Sequence, residues 1–201
     1  MPVTTARAPF LYAGPARAAI HRLKFSGWRS VASALADAMV AAGAPAADAV
    51  TWVPLARRRL AERGYDQARA LASAVGARLD LPVVRLTRRS VATAPQARRP
   101  GDERRSAMHG AFEPLARSTA PDRVVLVDDV LTTGATAAAC AEALATSGVR
   151  EVALLTAARA FAGKRAGKQA EKQAEKQAEN QGGYTRAGSQ PGLWLPGEPP
   201  R

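Results

Sequence analysis

Two adjacent carboxylates, Asp128 and Asp129, end an apolar run, and the small polar segment TTGAT at 132–136 follows them. Carboxylates accept hydrogen bonds from hydroxyl groups or hold metal ions. A glycine-containing turn that opens a helix points unpaired backbone N–H groups outward and therefore binds phosphate. Because the carboxylates would repel a phosphate, they should face neutral hydroxyls or a metal ion. A sugar phosphate offers both kinds of group, so the pattern predicts a sugar-phosphate site.

Three other interpretations of the acidic pair fit less well. A helix cap needs one carboxylate, and two adjacent ones exceed that need. A phosphoacceptor receiver domain would need another aspartate on a later strand, and no aspartate follows Asp129. A P-loop needs G-x-x-x-x-G-K-[ST], whereas GKRAGKQ at 163–169 has a different spacing and lies near the end of the chain.

The segments around this motif alternate between strand-like and helix-like patterns. Apolar, β-branched runs predict strands, and apolar residues at helical spacing predict helices. The predicted strands are 49–55, 81–86, 123–129 and 150–159, and the predicted helices are 14–43 (broken near Gly27), 65–79 and 134–148. This alternation predicts an α/β fold with a doubly wound, mostly parallel sheet. Such sheets bind ligands beyond the carboxyl ends of their strands, where Asp128 and Asp129 lie.

Two segments lack the periodic apolar residues that a helix or strand packed on a core requires. Residues 88–109 contain prolines, a glycine and many charges, and predict a long mobile loop, which at this length is usually either functional or disordered. Residues 163–201 contain the repeat KQAEKQAEKQAE and a Gly/Pro-rich end, which predict a mostly disordered tail. We therefore expect one domain over 1–162 and a low-complexity tail over 163–201.

The composition indicates the cellular compartment and the kinds of ligand that the protein could bind. The chain has 201 residues, a net charge of +12 and a single cysteine, Cys140. One cysteine excludes an internal disulfide and a cysteine-rich zinc site, and it fits a reducing compartment. With no long apolar run and no signal-like start, we expect a cytoplasmic protein without a membrane anchor. Arginine clusters at 57–63 and 85–105 fit either nucleic acid or a small phosphorylated ligand.

The strand, the two acids and T-T-G-x-T resemble the phosphoribosyl-diphosphate signature of type I phosphoribosyltransferases. Five further segments resemble the ComF/GntX family in particular, a family associated with competence for DNA uptake. These segments are the opening pattern ending in LKFSG, VPLARRRLAERGYDQ at 53–67, PQ at 95–96, RR at 104–105 and GAF at 110–112. The resemblance covers about residues 10–160. Two features depart from it: the usual N-terminal four-cysteine zinc ribbon is absent, and Ala107 stands where an asparagine is usual.

This resemblance implies a type I phosphoribosyltransferase fold with flanking helices and a small hood, and transfer of phosphoribose from phosphoribosyl diphosphate to an acceptor. It also implies roles for residues. Asp128 and Asp129 would bind the ribose hydroxyls and be the catalytic acids. The 5′-phosphate would lie on Thr132, Thr133, Gly134, Ala135 and Thr136, and the diphosphate on Leu55, Ala56, Arg57 and Arg58. Further candidates for the closing loop or for ligand contacts are Lys24, Arg63, Gln96, Arg104 and Arg105.

Mg²⁺ is the implied cofactor, held mainly by the substrate and not directly by the protein. The acceptor is not identifiable from the sequence. An alternative function stays open, in which the same fold senses a nucleotide or serves as a partner of the DNA-uptake machinery without catalysis. A homodimer is a further expectation.

Overall fold

The computed structural model describes residues 3–25, 29–90, 110–115 and 120–160. A parallel sheet forms the centre of this part. Its strands are β1 (Thr5–Arg7), β2 (Phe10–Leu11), β3 (Ala49–Trp52), β6 (Arg123–Leu131) and β7 (Glu151–Arg159). Strands β1 and β2 both pair with β7, and the order across the sheet is β1/β2, β7, β6, β3, with every pair parallel.

Five helices are described around the sheet: α1 (Gly14–Phe25), α2 (Arg29–Ala41), α3 (Arg57–Arg63), α4 (Gln67–Leu79) and α5 (Ala135–Thr146). Helices α2 and α4 pack against each other on one face of the sheet, and α1 packs against α2. Helix α5 packs on the opposite face. The sheet is therefore covered on both faces, as the doubly wound prediction required.

Strand β6 supplies side chains to both faces because successive side chains of a strand point in opposite directions. Val125 and Val127 belong to the core shared with α2 and α4, whereas Val124 and Leu126 belong to the core shared with α5. All four are buried. A strand buried on both sides needs a continuous apolar run, and this is why the sequence lacks polar alternation here.

A separate antiparallel ribbon consists of β4 (Thr87–Arg89) and β5 (Phe112–Pro114). It contacts helix α5, and the buried side chains of Leu86 and Phe112 join the core on the α5 side. The ribbon lies on the same side of the sheet as α5.

The prediction of a strand over 81–86 is wrong. In that segment only Val83 bridges to Val50, and the ladder consists of two backbone bonds, from Val50 N to the Pro82 carbonyl and from Val84 N to the Val50 carbonyl. Pro82 has no N–H to extend the ladder. The chain instead begins the ribbon at Thr87, so the predicted loop over 88–109 is also wrong at its start.

Other boundaries differ by a few residues. Helix α4 begins at Gln67 and not at Tyr65, because Asp66 caps it. The short helix α3 was not predicted, and it begins with Arg57 and Arg58, two of the residues expected to bind the diphosphate. Strands β1 and β2, which are three and two residues long, were also missed. Residues 91–109 and the predicted tail beyond residue 162 lie outside the described residues.

Candidate functional site

The two aspartates lie near the carboxyl end of β6, and their environments differ. Asp129 faces α1 and α4, where Lys24 and Gln67 contact it. Asp128 has Arg89 of the ribbon and Cys140 of α5 among its electrostatic neighbours. This separation follows from the alternation of the strand, which turns adjacent side chains toward opposite faces. The acidic pair therefore consists of two carboxylates with different partners.

Asp129 is buried and fully engaged. Lys24 Nζ lies 2.8 Å from its Oδ1, and Gln67 Nε2 donates to its Oδ2 at 2.9 Å. The residue is only 6% exposed, so the cation and the amide replace the water that the carboxylate loses. Lys24 comes from the last turn of α1, and Gln67 is the first residue of α4.

Asp128 is half-buried and has fewer partners. Its Oδ1 accepts a hydrogen bond from the Asp129 backbone N–H at 2.8 Å. Burial, and secondarily the neighbouring Asp129 carboxylate, raise the pKa of Asp128 from 3.8 to about 8. Lys24 acts in the opposite direction but does not outweigh them. Within the described residues, no donor is bonded to the other carboxylate oxygen, so Asp128 is open to a ligand.

Arg89 places a positive charge near Asp128. Its guanidinium lies 5.1 Å from the centre of the Phe112 ring, on the partner strand of the ribbon. Burial lowers the pKa of Arg89, Arg59 lowers it further, and Asp128 raises it. A half-buried guanidinium beside a carboxylate can bind an anionic ligand group that arrives next to the acids.

The segment TTGAT follows β6 and opens α5. Gly134 caps the helix at φ +79°, a conformation that L side chains rarely adopt, and no side chain caps this end. Thr133 Oγ1 receives only a long bond, 3.4 Å, from the Ala135 N–H. Thr132 and Thr133 are exposed, so their hydroxyls and the first N–H groups of α5 can meet a phosphate.

The loop after β3 is held in place by Asp66. Its Oδ2 accepts from the Leu55 N–H and from Trp52 Nε1, both at 3.2 Å, while Oδ1 accepts from the N–H groups of Ala68 and Arg69. One carboxylate thus caps α4 and fixes the loop 53–56 at the same time. Asp66 also raises the pKa of Asp128, which shows that this loop lies close to the acidic pair.

The arginines of α3 are less closely associated with the acids. Arg57 and Arg58 are exposed, and Arg58 forms an ion pair with Glu62 one turn later at 2.9 Å. The guanidinium of Arg63 lies 4.9 Å from the centre of the Phe25 ring. The structure therefore brings together Lys24, Asp128, Asp129 and the segments around Leu55 and Gly134. Gln96, Arg104 and Arg105 lie outside the described residues.

The described side chains of the site offer few ligands to a magnesium ion. Mg²⁺ prefers oxygen ligands in octahedral geometry and commonly shares them with substrate phosphates. Among the described residues, no three carboxylate, histidine or cysteine side chains form a group that could hold a metal. Both Asp129 oxygens are already engaged. This donor set fits an ion held mainly by a ligand's phosphates.

Three residues of the site were not among the sequence candidates. Gln67 and Asp66 belong to the quoted segment RGYDQ, and the aspartate directly before a helical pattern was a signal for a cap. Arg89 was one arginine among several in a charged stretch, and only the pairing of β4 with β5 places it over Phe112. Trp52 packs in the core and also donates a hydrogen bond to Asp66.

No described helix is both long enough and apolar enough to cross a membrane. The model of the phosphoribosyl transferase domain family matches residues 60–186. This range includes the acidic pair and the threonine segment, begins after the loop 53–56, and runs past residue 162, the predicted domain boundary.

Curated relatives extend this match. The DNA utilization protein YhgH of Escherichia coli O6:H1 is 33% identical over 153 residues, which cover 70% of this chain and 66% of the relative. The protein of that name from Salmonella typhi is 31% identical over the same shares. The chain thus spans slightly less than two thirds of these relatives. Among solved structures, the allosteric regulatory enzyme of purine biosynthesis is 19% identical with a TM-score of 0.42, over 64% of this chain and 26% of that one.

Proposed function

The chain is a ComF-like member of the phosphoribosyl transferase domain family, and we propose that it binds phosphoribosyl diphosphate or a nucleotide at the carboxyl end of β6. The supporting observation is the combination of one open carboxylate with an uncapped helix start. Asp128 has an oxygen without a described donor, and the first turn of α5 has no side-chain cap. These two features match the hydroxyl groups and the phosphate of a ribose 5-phosphate unit.

In this proposal the ribose hydroxyls bind at the open oxygen of Asp128, with Asp129 held beside it by Lys24 and Gln67, and the 5′-phosphate binds at 132–136. The diphosphate lies against the loop at Leu55 and Ala56, with Arg57 and Arg58 at the start of α3. Arg89 adds a cation on the ribbon side. Lys24, Arg63, Gln96, Arg104 and Arg105 stay candidates for ligand contacts.

The reaction that such a site supports is transfer of phosphoribose to an acceptor. Breaking the anomeric bond develops positive charge on the sugar and negative charge on the departing diphosphate. Carboxylates near the ribose stabilise the first charge, and guanidinium and N–H groups stabilise the second. Mg²⁺ bound to the diphosphate would neutralise part of its charge. The acceptor is unassigned, and the alternative is a protein that binds the same ligand without transferring it.

Calorimetric titration with phosphoribosyl diphosphate and Mg²⁺ tests the site. We expect binding by the wild type, and none by a folded variant that combines Asp128→Asn with Asp129→Asn. Asp122→Asn is the matched control, because Asp122 pairs with Arg150 at the opposite ends of the strands. Unchanged affinity in the folded double variant would reject the site. Diphosphate release over a panel of bases and amines then separates a transferase from a sensor.

The similarity to the DNA utilization protein YhgH suggests a role in DNA utilization. If the arginines served a nucleic acid, affinity would fall steeply with salt, by a slope of about −0.9 per phosphate contacted on duplex DNA. We expect instead weak DNA binding at physiological salt that phosphoribosyl diphosphate displaces. Tight DNA binding that the ligand does not displace would favour a DNA-uptake partner.

A further inference from the structure

Lys24 is placed unusually for a lysine at the end of a helix. Its side chain is only 19% exposed, and its ammonium group lies 2.8 Å from Oδ1 of Asp129, whose side chain is 8% exposed. Burial of a charge is costly unless an opposite charge accompanies it. The contact therefore differs from exposed ion pairs elsewhere on the protein. In the pair of Arg150 with Asp122, for example, the side chains are 80% and 58% exposed.

Gln67 completes the environment of Asp129. Its amide donates to Oδ2 at 2.9 Å, and the residue is 5% exposed. Both oxygens of Asp129 are thus held by groups of the protein itself. Asp128, by contrast, keeps an oxygen without a described donor. Adjacent aspartates that look equivalent in the sequence therefore have different surroundings in the fold.

We propose that Lys24 is a positioning residue, the resident counter-ion of the acidic pair, which with Gln67 fixes Asp129 and leaves Asp128 as the carboxylate that meets the ligand. The assignment of Asp128 to a ligand hydroxyl rests on the proposed function. The role of Lys24 as a counter-ion rests on the described contacts alone, and the two parts can fail separately.

The electrostatic consequence is that Lys24 compensates the charge of Asp129, so that Asp128 alone adds an uncompensated negative charge when it ionises. A phosphorylated ligand would meet strong repulsion from two buried negative charges, and Lys24 removes one of them. In the part of the chain that the structure describes, the other charged or titratable groups that interact with the pair include Asp66 before α4, Arg89 on the ribbon and Cys140 on α5. Arg89 is the cation among these three, and it lies on the Asp128 side.

The first experiment needs no ligand. Lys24→Met keeps most of the side-chain volume and removes the charge, Lys24→Arg keeps the charge, and Arg150→Met removes a cation from an exposed pair as the control. Thermal unfolding is followed from about pH 5 to about pH 9. We expect Lys24→Met to lower Tm by on the order of 5 °C at the upper end. The loss should shrink toward pH 5, because protonation of a carboxylate removes the uncompensated charge.

A double-mutant cycle separates charge from packing. If Lys24 acts as the counter-ion, combining Lys24→Met with Asp129→Asn should restore much of the Tm lost in either single variant, because no unpaired charge remains. A loss that is independent of pH and additive in the double variant would mean that Lys24 only packs, and would overturn the proposal. The Arg150→Met control should show little change at any pH.

The second experiment uses AMP as the probe and calorimetry as the measurement. We expect Lys24→Met to weaken AMP binding at least tenfold near pH 8, and Lys24→Arg to recover part of it. Equal affinity of wild type and Lys24→Met would overturn the link to the ligand. If the wild type binds neither AMP nor phosphoribosyl diphosphate, the proposed function fails, and the pH dependence of Tm still decides whether Lys24 is the counter-ion.

Discussion

At the scale of single residues, the candidate site depends on carboxylates that differ in their partners. Asp129 has one protein partner on each oxygen, Lys24 and Gln67, Asp128 has a described donor on only one oxygen, and Asp66 accepts from four donors. A carboxylate with both oxygens engaged by the protein organises structure, whereas one with an open oxygen can receive a ligand. The same side-chain chemistry thus serves two purposes within a small volume.

The raised pKa of Asp128 gives a pH-dependent prediction. Because its pKa rises from 3.8 to about 8 on folding, the stability associated with its proton is complete below 3.8 and is lost as the pH rises through about 8. Asp128→Asn removes this loss. Urea denaturation should show that the variant gains stability relative to wild type between pH 4 and about pH 8. Parallel pH profiles of the two proteins would contradict this expectation.

Asp66 gives a prediction about the loop after β3. Asp66→Ala removes a helix cap, worth about 1 kcal/mol, and leaves donors of Leu55 and Trp52 without their acceptor, at about 1–3 kcal/mol. We expect a total loss of about 2–4 kcal/mol in urea denaturation, with weaker binding of phosphoribosyl diphosphate because the loop loses its anchor. Asp80→Asn is the control, since asparagine tolerates the left-handed φ of +54° found there. A loss no larger than that of the control would contradict the anchoring role.

At the scale of elements, the site is assembled where four segments end or begin. The end of β6 brings the acids, the last turn of α1 brings Lys24, the start of α4 brings Gln67 and Asp66, and the ribbon brings Arg89. Parallel strands with crossover helices place such ends at one edge of the sheet. Helix α4 therefore has to sit close to the sheet, and its packing can be tested.

Gly76 shows how closely α4 approaches its surroundings. A Cβ at this position would overlap Val83 Cγ2 and lie 3.0 Å from the Leu81 carbonyl oxygen. Gly76→Ala in a helix interior usually stabilises a protein by up to about 1 kcal/mol. Here we expect destabilisation by about 1–3 kcal/mol from overpacking. Combining it with Val83→Ala should recover part of the loss in urea denaturation. Stabilisation by Gly76→Ala alone would show that the segment after α4 yields easily.

At the scale of the whole molecule, the described sheet and helices form two cores on opposite faces of one sheet. The described strands of the large sheet and the described helices that cover it lie between Thr5 and Arg159. The repeat at 168–179 has no apolar residue except alanine, and a helix of that length is marginal on its own. The sequence therefore predicts that the domain folds without its last part.

This expectation can be tested by ending the chain after residue 162. We expect Tm and the affinity for phosphoribosyl diphosphate to change little, because no apolar face of the repeat is available to pack. Differential scanning calorimetry and calorimetric titration of the two lengths provide the measurements. A fall of many degrees would instead mean that the later residues pack on the domain, as the family match to residue 186 would allow.

The sequence by itself determined the fold class and the motif. The apolar run before Asp128 required a strand buried on both faces, and the alternation of elements required a parallel sheet; both follow from periodicity, which is local. The type I phosphoribosyltransferase fold predicted from the motifs is confirmed by the family match. The prediction of a strand over 81–86 was wrong, because a β-branched run also suits an extended segment that is not part of a sheet. Pro82 limits the pairing of this segment to one bridge.

Only the tertiary structure decided which groups surround the acids. Lys24 lies 105 positions before Asp129 and Gln67 lies 62 positions before it, and no local pattern links residues so far apart. Their meeting depends on how α1 and α4 pack on the sheet. Likewise, the difference between Asp128 and Asp129 arises because alternate side chains of β6 enter different surroundings, one containing a lysine and an amide and the other containing Arg89. The sequence determines which side-chain groups are present, but the packed fold determines the electrostatic environment of each group.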